Sequence, residues 1–193
     1  ARENARAVRG ALTTELWETL NQTWLELVRM VKSKSVEDDP VAFFEWVKFR
    51  SHLSRGVGVG TMLRDEAYHF YRMGTFLERC DNTARLLDVK FQVTPDAQSA
   101  SDVGMDNDFY HWSAILRSVS AFEVYRKVYR DIITPERVAE LLMLRPDMPR
   151  SLLACLNEVV HSLGAVSKEA SRETERLVGR LCSELAYGHI DEI

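Results

Sequence analysis

Along almost the whole chain, apolar residues recur at intervals of three and four, and no segment keeps up a period-two alternation. That spacing gathers side chains on one stripe of a helix and leaves nothing to line one face of a sheet. The pattern predicts an all-α fold, a bundle of six to eight helices with no sheet, as a single domain over 1–193. At this length such a domain buries roughly 70% of the surface its unfolded chain exposes, enough for an ordinary core.

Turn signals divide the pattern. The first stripe, from Ala5 and Val8 through Leu16 and Trp24 to Val31, has Gly10 and Thr13-Thr14 as possible breaks. Asp39-Pro40 reads as an N-cap and first-turn pair, because proline lacks the amide hydrogen that would go unbonded there. The helix it opens runs to about Arg55, and Val41, Phe44, Trp46 and Val47 predict burial over a wide arc. Gly56-Val57-Gly58-Val59-Gly60 reads as a flexible connection: a phosphate-cradling loop would need a following Lys-Ser/Thr or a preceding strand. A long helix from Thr61 to about Lys90 carries Leu63, Ala67, Phe70, Gly74, Leu77, Ala84 and Leu87, and Val93-Thr94-Pro95 closes it. Residues 92–108 then read as a polar loop, mobile or lid-like, with Asp106-Asn107-Asp108 capping a helix to about Arg130. Thr134-Pro135-Glu136 opens a short helix, another follows from about Pro149, and Gly188 stops the last.

Composition removes several function classes. A net charge of −4 with basic residues scattered along the chain offers no cationic stripe, so nucleic acid is not an expected partner. No apolar run reaches the roughly 18 residues that span a bilayer. Cys80, Cys155 and Cys182 are odd in number and lack CxxC spacing, which predicts neither a disulfide framework nor a zinc site and suits a reducing cytoplasm. The opening Ala1-Arg2-Glu3-Asn4-Ala5-Arg6 reads as the interior of a helix.

The richest chemistry lies in Arg64-Asp65-Glu66 and in Leu77-Glu78-Arg79-Cys80-Asp81-Asn82-Thr83-Ala84-Arg85-Leu86-Leu87-Asp88. Helical spacing puts Glu78, Asp81, Asn82, Arg85 and Asp88 on one face. One reading is a solvated ladder of pairs such as Asp81 with Arg85, each contributing about 0.3–0.5 kcal/mol. The other notes the flanking Phe76, Leu77, Leu86 and Leu87 and predicts a helix buried nearly all round, its charges held inside for a site.

The block from Gly74 to Lys90, containing Glu78-Arg79, resembles the Glu-Arg signature of the alpha-E family of bacterial proteins. Glu3-Asn4-Ala5-Arg6, Glu15-Leu16-Trp17, Gly60-Thr61-Met62-Leu63-Arg64-Asp65-Glu66, Tyr110-His111-Trp112, Leu116-Arg117-Ser118 and Pro149-Arg150-Ser151 fit the same family in order. The resemblance covers essentially the whole chain and implies the C-terminal two thirds of the family, without its N-terminal helices. It implies a helical protein with no established activity that keeps company with circularly permuted ATP-grasp ligases and transglutaminase-like proteins. The expected function is a non-catalytic accessory module, needing no cofactor, that presents a charged cleft of Arg64, Asp65, Glu78, Arg79, Asp81, Arg85 and Arg117 to a peptide or partner protein.

The alternative is an enzyme that uses Asp65 or Glu78 as general base, or a di-metal carboxylate bundle. Glu66-x-x-His69 and Glu158-x-x-His161 have the required form, with Glu15 or Glu18 and Glu123 to complete the set, although short motifs of this kind arise by chance. His52, His111 and His189 read as surface or hydrogen-bonded histidines and Cys80 as packing, while Tyr110 and Trp112 could border a groove.

Overall fold

The computed structural model describes residues 1–93, 102–166 and 171–192. Its α-helices are α1 (Arg2–Ala7), α2 (Thr14–Lys32), α3 (Ser35–Asp38), α4 (Pro40–Thr61), α5 (Glu66–Val93), α6 (Asp102–Ser118), α7 (Phe122–Tyr129), α8 (Pro135–Met143), α9 (Leu152–Val166) and α10 (Arg172–Tyr187). Eight have seven residues or more, and the described residues contain no strand, so the fold class is all-α as the periodicity predicts. The chain divides into two compact units, Ala1–Tyr68 and His69–Ile193.

In the first unit α2 and α4 form the main pair, with α1 and α3 packed on α2. The predicted break falls at the 3-10 turn Arg9–Ala11, after which Thr13 caps α2 by accepting from the Leu16 amide at 3.3 Å. Asp39 caps α4 from the Ala42 amide at 3.0 Å, with Pro40 in the first turn. The wide buried arc of α4 does not form: Val41 is 74% exposed and Phe44 67%. Of that expected arc Trp46 does turn toward α2, and it is joined there by Arg50. The Trp46 indole donates to Glu26 at 3.0 Å, and the buried Arg50 donates to Thr23 Oγ1 at 2.7 Å and to the Thr19 carbonyl at 3.0 Å. These bonds satisfy a guanidinium that would be costly to bury alone.

The glycine–valine run is also corrected, since Gly56 to Gly60 are the last turns of α4. The handicap of glycine in a helix is entropic, about 1 kcal/mol against alanine, and it does not interrupt the hydrogen-bond ladder. The helix stops at Met62, where the backbone becomes extended, and the next begins only at Glu66. Asp65 accepts from the Tyr68 amide at 3.1 Å and so caps α5.

In the second unit α5 presents a different stripe from the one expected. Met73, Phe76, Cys80, Thr83 and Leu87, spaced by three and four, face inward, whereas Leu77 of the expected stripe is 51% exposed and Phe70, Gly74 and Ala84 are exposed too. Helix α6 already contains Asp106-Asn107-Asp108, so these residues do not cap its start, and the loop expected over 92–108 does not extend into 102–108. Residues 92 and 93 of that expected loop are the last of α5, and 94–101, with the Thr94-Pro95 stop signal, lie outside the described residues. The helix expected to run to Arg130 breaks at Ser120, which takes a left-handed φ of 56°. The Ala121 amide bonds the Leu116 carbonyl at 2.7 Å and the Ser120 amide that of Arg117 at 3.1 Å, closing α6 with a Schellman motif.

Thr134 caps α8 by accepting from the Arg137 amide at 3.4 Å, and Ser151 caps α9 by accepting from the Ala154 amide at 3.0 Å. Gly188 follows α10 as predicted, its amide bonding the Glu184 carbonyl at 2.9 Å. The main core gathers Leu87, Trp112, Leu116, Val119, Tyr125, Val138, Leu141, Leu142 and Met148. Each large apolar side chain buried there contributes roughly 1.5–3 kcal/mol as an upper estimate. A polar tie crosses this core: Tyr125 Oη donates to the Ile132 carbonyl at 2.7 Å and accepts from the Thr134 amide at 3.2 Å. The cysteines also pack as apolar groups: Cys182 joins Leu153, Leu156 and Leu185, and Cys155 joins Phe76 and Val159. Cys80 lies against both sets. Burial first, and then the neighbouring Cys80, pushes the Cys155 thiol up to about 11.

Gly56 and Gly74 sit in exposed helix interiors with open space where a Cβ would project. Gly56→Ala and Gly74→Ala should each therefore raise unfolding free energy in urea by about 0.5–1 kcal/mol, and a loss of stability would contradict the helical assignment. In alkali, the unfolded chain releases the Cys155 proton near the ordinary thiol value while the folded chain holds it to about 11. Stability should fall as pH rises between those two values, and the slope should be shallower in Cys155→Ala; equal slopes would contradict the buried thiol.

Candidate functional site

The inward stripe of α5 settles where its charges go. Glu78, Asp81, Asn82, Arg85 and Asp88 are all exposed, so the helix is not buried nearly all round. Arg85 Nε donates to Asp81 Oδ2 at 2.7 Å, with the two side chains 74% and 58% exposed, as the solvated-ladder reading has it. That bond, followed by the attraction of the same carboxylate, holds the Arg85 guanidinium above its ordinary range. A pair this exposed stabilises the helix only slightly.

One polar residue of α5 lies deep inside. Thr83 is 2% exposed, and its hydroxyl stands 3.1 Å from the Arg79 carbonyl and 3.0 Å from the Arg150 carbonyl. Arg79, one turn earlier, donates from Nη1 to the Pro149 carbonyl at 3.2 Å and places its guanidinium 4.9 Å from the Phe76 ring centroid. Thr83 and Arg79 therefore hold two successive carbonyls of the turn that leads into α9. The Arg of the Glu-Arg pair is thus an architectural residue as well as a surface cation. Glu78 is exposed and forms no ion pair among the described residues.

With the turn fixed there, α5, α6 and Arg150 enclose an open groove of about 760 Å³. Leu86, Val89, Ala114, Ile115 and Val119 give it an apolar lining. Arg79, Arg85, Arg150, His111 and Asn82 supply polar groups, with the Thr83 and Ser118 hydroxyls. Two of the seven residues expected in a charged cleft, Arg79 and Arg85, meet here. Asp81 binds Arg85 from outside the lining, and Arg117 lies over the Phe122 ring at 4.1 Å without entering the groove. Arg64 and Asp65 belong to the first unit, Arg64 exposed and Asp65 engaged as the α5 cap.

The aromatic pair proposed to border a groove is corrected by one helical step. Trp112 is core and Tyr110 is exposed, while His111 between them faces the groove. Arg150 was visible only as part of a longer motif, and Asn82 only as a member of the polar face of its helix. Their signal was that the carbonyl Thr83 meets is Arg150's own and that Asn82 precedes Thr83, which becomes evident only once Thr83 is known to be inside.

The alternative chemistry finds less support in the geometry. Rings of His69 and His161, from the two Glu-x-x-His motifs, have centroids 6.2 Å apart, but Glu158 is bound by Arg72 at 2.6 Å. Among the described residues no group of three or more His, Cys, Asp and Glu side chains that could hold a metal ion is found. The cysteines carry raised thiol values, with burial the leading cause for each, which is the reverse of an activated nucleophile. No helix among the described residues is long and apolar enough to cross a membrane.

Neither a curated protein nor a solved structure matches the chain. A family model does, over residues 1–193 and so over the whole sequence: Alpha-E, described as a predicted alpha-helical domain with a conserved ER motif. The all-helical fold, the Glu78-Arg79 pair on α5 and this full-length match lead to one conclusion, that the chain belongs to the Alpha-E family.

Proposed function

We propose that this Alpha-E protein is a non-catalytic binding module whose α5–α6 groove receives a segment of a peptide or partner protein. The observation that carries this reading is the groove itself: an apolar lining open to solvent and bordered by Arg79, Arg85 and Arg150. Large apolar side chains exposed in a concave surface are stabilised by a partner that covers them, and guanidinium groups at the rim give that partner an orientation. Of the described hydroxyls in the lining, Ser118 donates to the Ile115 carbonyl at 2.7 Å and Thr83 lies against the Arg150 carbonyl at 3.0 Å, and the cysteines of this unit are packed thiols. Recognition therefore fits these residues better than bond-making.

The partners suggested by family resemblance are a circularly permuted ATP-grasp ligase and a transglutaminase-like protein, with this chain as their accessory component. The fixed turn at Pro149 and Arg150 supports that role, because a rigid wall lowers the ordering cost of binding.

Ala114 is an exposed groove residue on α6, so Ala114→Trp fills the space without altering charge or an internal bond. The variant should keep its helical circular dichroism and lose co-purification with the ATP-grasp protein of the same source. A complex recovered in the same yield from Ala114→Trp would overturn the groove as the binding surface.

A further inference from the structure

We infer that the occupant of the α5–α6 groove is an acidic peptide segment in which carboxylates alternate with bulky aliphatic side chains. The inference rests on the reading of that groove as a binding surface and adds the chemistry of what it binds.

Charge selects the acid. The chain as a whole carries 29 acidic residues against 25 basic ones, yet the described groove lining holds Arg79, Arg85 and Arg150 and no Asp or Glu. Asp81 offsets Arg85 from outside. Arg150 has no ion pair among the described residues, and its own carbonyl is held by Thr83, so its guanidinium stands on a fixed base. Planar guanidinium groups bind a carboxylate through paired N–H donors, an arrangement that neither an ammonium nor an amide partner can return.

Shape and polarity select the rest. A small free anion would satisfy Arg150 but leave Val89 and the open edges of the half-buried Leu86 and Ile115 in water. A purely aliphatic segment would cover those side chains and desolvate the arginines with no counter-charge. Asn82, exposed on the same wall and without a hydrogen bond among the described residues, offers both a donor and an acceptor, which matches a peptide group. A segment of alternating acidic and aliphatic residues meets all three demands.

The test uses ¹⁵N-labelled protein and three octapeptide pools that alternate mixed Leu/Ile/Val with Asp/Glu, Asn/Gln or Lys/Arg. The acidic pool should shift the His111, Ala114 and Ile115 amides saturably, about tenfold more tightly than the amide pool, and more weakly as salt is raised. Arg150→Gln should remove most of that preference, and Arg150→Glu should transfer it to the basic pool, with circular dichroism confirming that each variant is folded. Equal binding of the acidic and amide pools would overturn the acidic occupant and leave the groove as a binding surface. Shifts produced by inorganic phosphate but by no peptide pool would overturn it in favour of a small-anion site. No shift with any probe would overturn it too, whereas the binding-surface reading fails separately, on a complex retained by Ala114→Trp.

Discussion

The Thr83 hydroxyl, enclosed in the buried stripe of α5 and set against the Arg150 carbonyl, is the contact on which the second unit's site depends. A hydroxyl has one proton to give, and Thr83 stands within reach of both the Arg79 and Arg150 carbonyls. Without it, the Arg150 carbonyl would face an apolar core with no bond from that side, a cost that usually exceeds the net value of the bond itself. Arg79 repeats the attachment one residue earlier at Pro149, and Ser151 ends the turn by capping α9 while donating to the Arg145 carbonyl at 2.5 Å. Three successive residues are thereby tied to α5, to α9 or to the preceding loop. The Arg150 side chain is what this arrangement leaves facing the groove.

Those bonds give the Glu-Arg pair an asymmetric meaning. Arg79 reaches across to a backbone carbonyl and over the Phe76 ring, so its removal would disturb packing and recognition together. Glu78, the next residue back on the helix, points to solvent. Substituting Arg150 or filling the space at Ala114 separates recognition from folding more cleanly than substituting Arg79. Arg85, balanced by Asp81 on the outer side, adds positive potential with a smaller local excess of charge.

Much of the fold was legible in the sequence wherever one signal acted alone. Asp39-Pro40 and Thr134-Pro135 opened helices where they stood, and Gly188 followed the last one. Apolarity misled where the inward residues were not the most apolar ones. On α5 the core positions include Cys80 and Thr83, so counting Phe70, Leu77 and Ala84 moved the stripe round the helix, and the flanking Phe76, Leu77, Leu86 and Leu87 made the charged face seem enclosed. On α4 the buried groups include an arginine, Arg50, while Val41 and Phe44 stay outside. The glycine run kept its helix because glycine weakens a helix without breaking it. The break at Ser120 carried no glycine to announce it, since serine itself takes the left-handed position there. The groove was legible only in pieces: Arg79, Asn82 and Arg85 were named on one helix, whereas His111 joins them from α6 and Arg150 through a contact between α5 and a turn 67 residues later.

The most direct measurement compares Thr83→Val with Thr83→Ser by urea unfolding and by amide hydrogen exchange at Ala154 and Cys155. Valine keeps the volume and removes the hydroxyl, whereas serine keeps the hydroxyl. The valine variant is expected to lose about 1–3 kcal/mol and to exchange those two amides faster, with most protection retained in the serine variant. A valine variant as stable as the parent, with the Ala154 and Cys155 amides equally protected, would contradict the account.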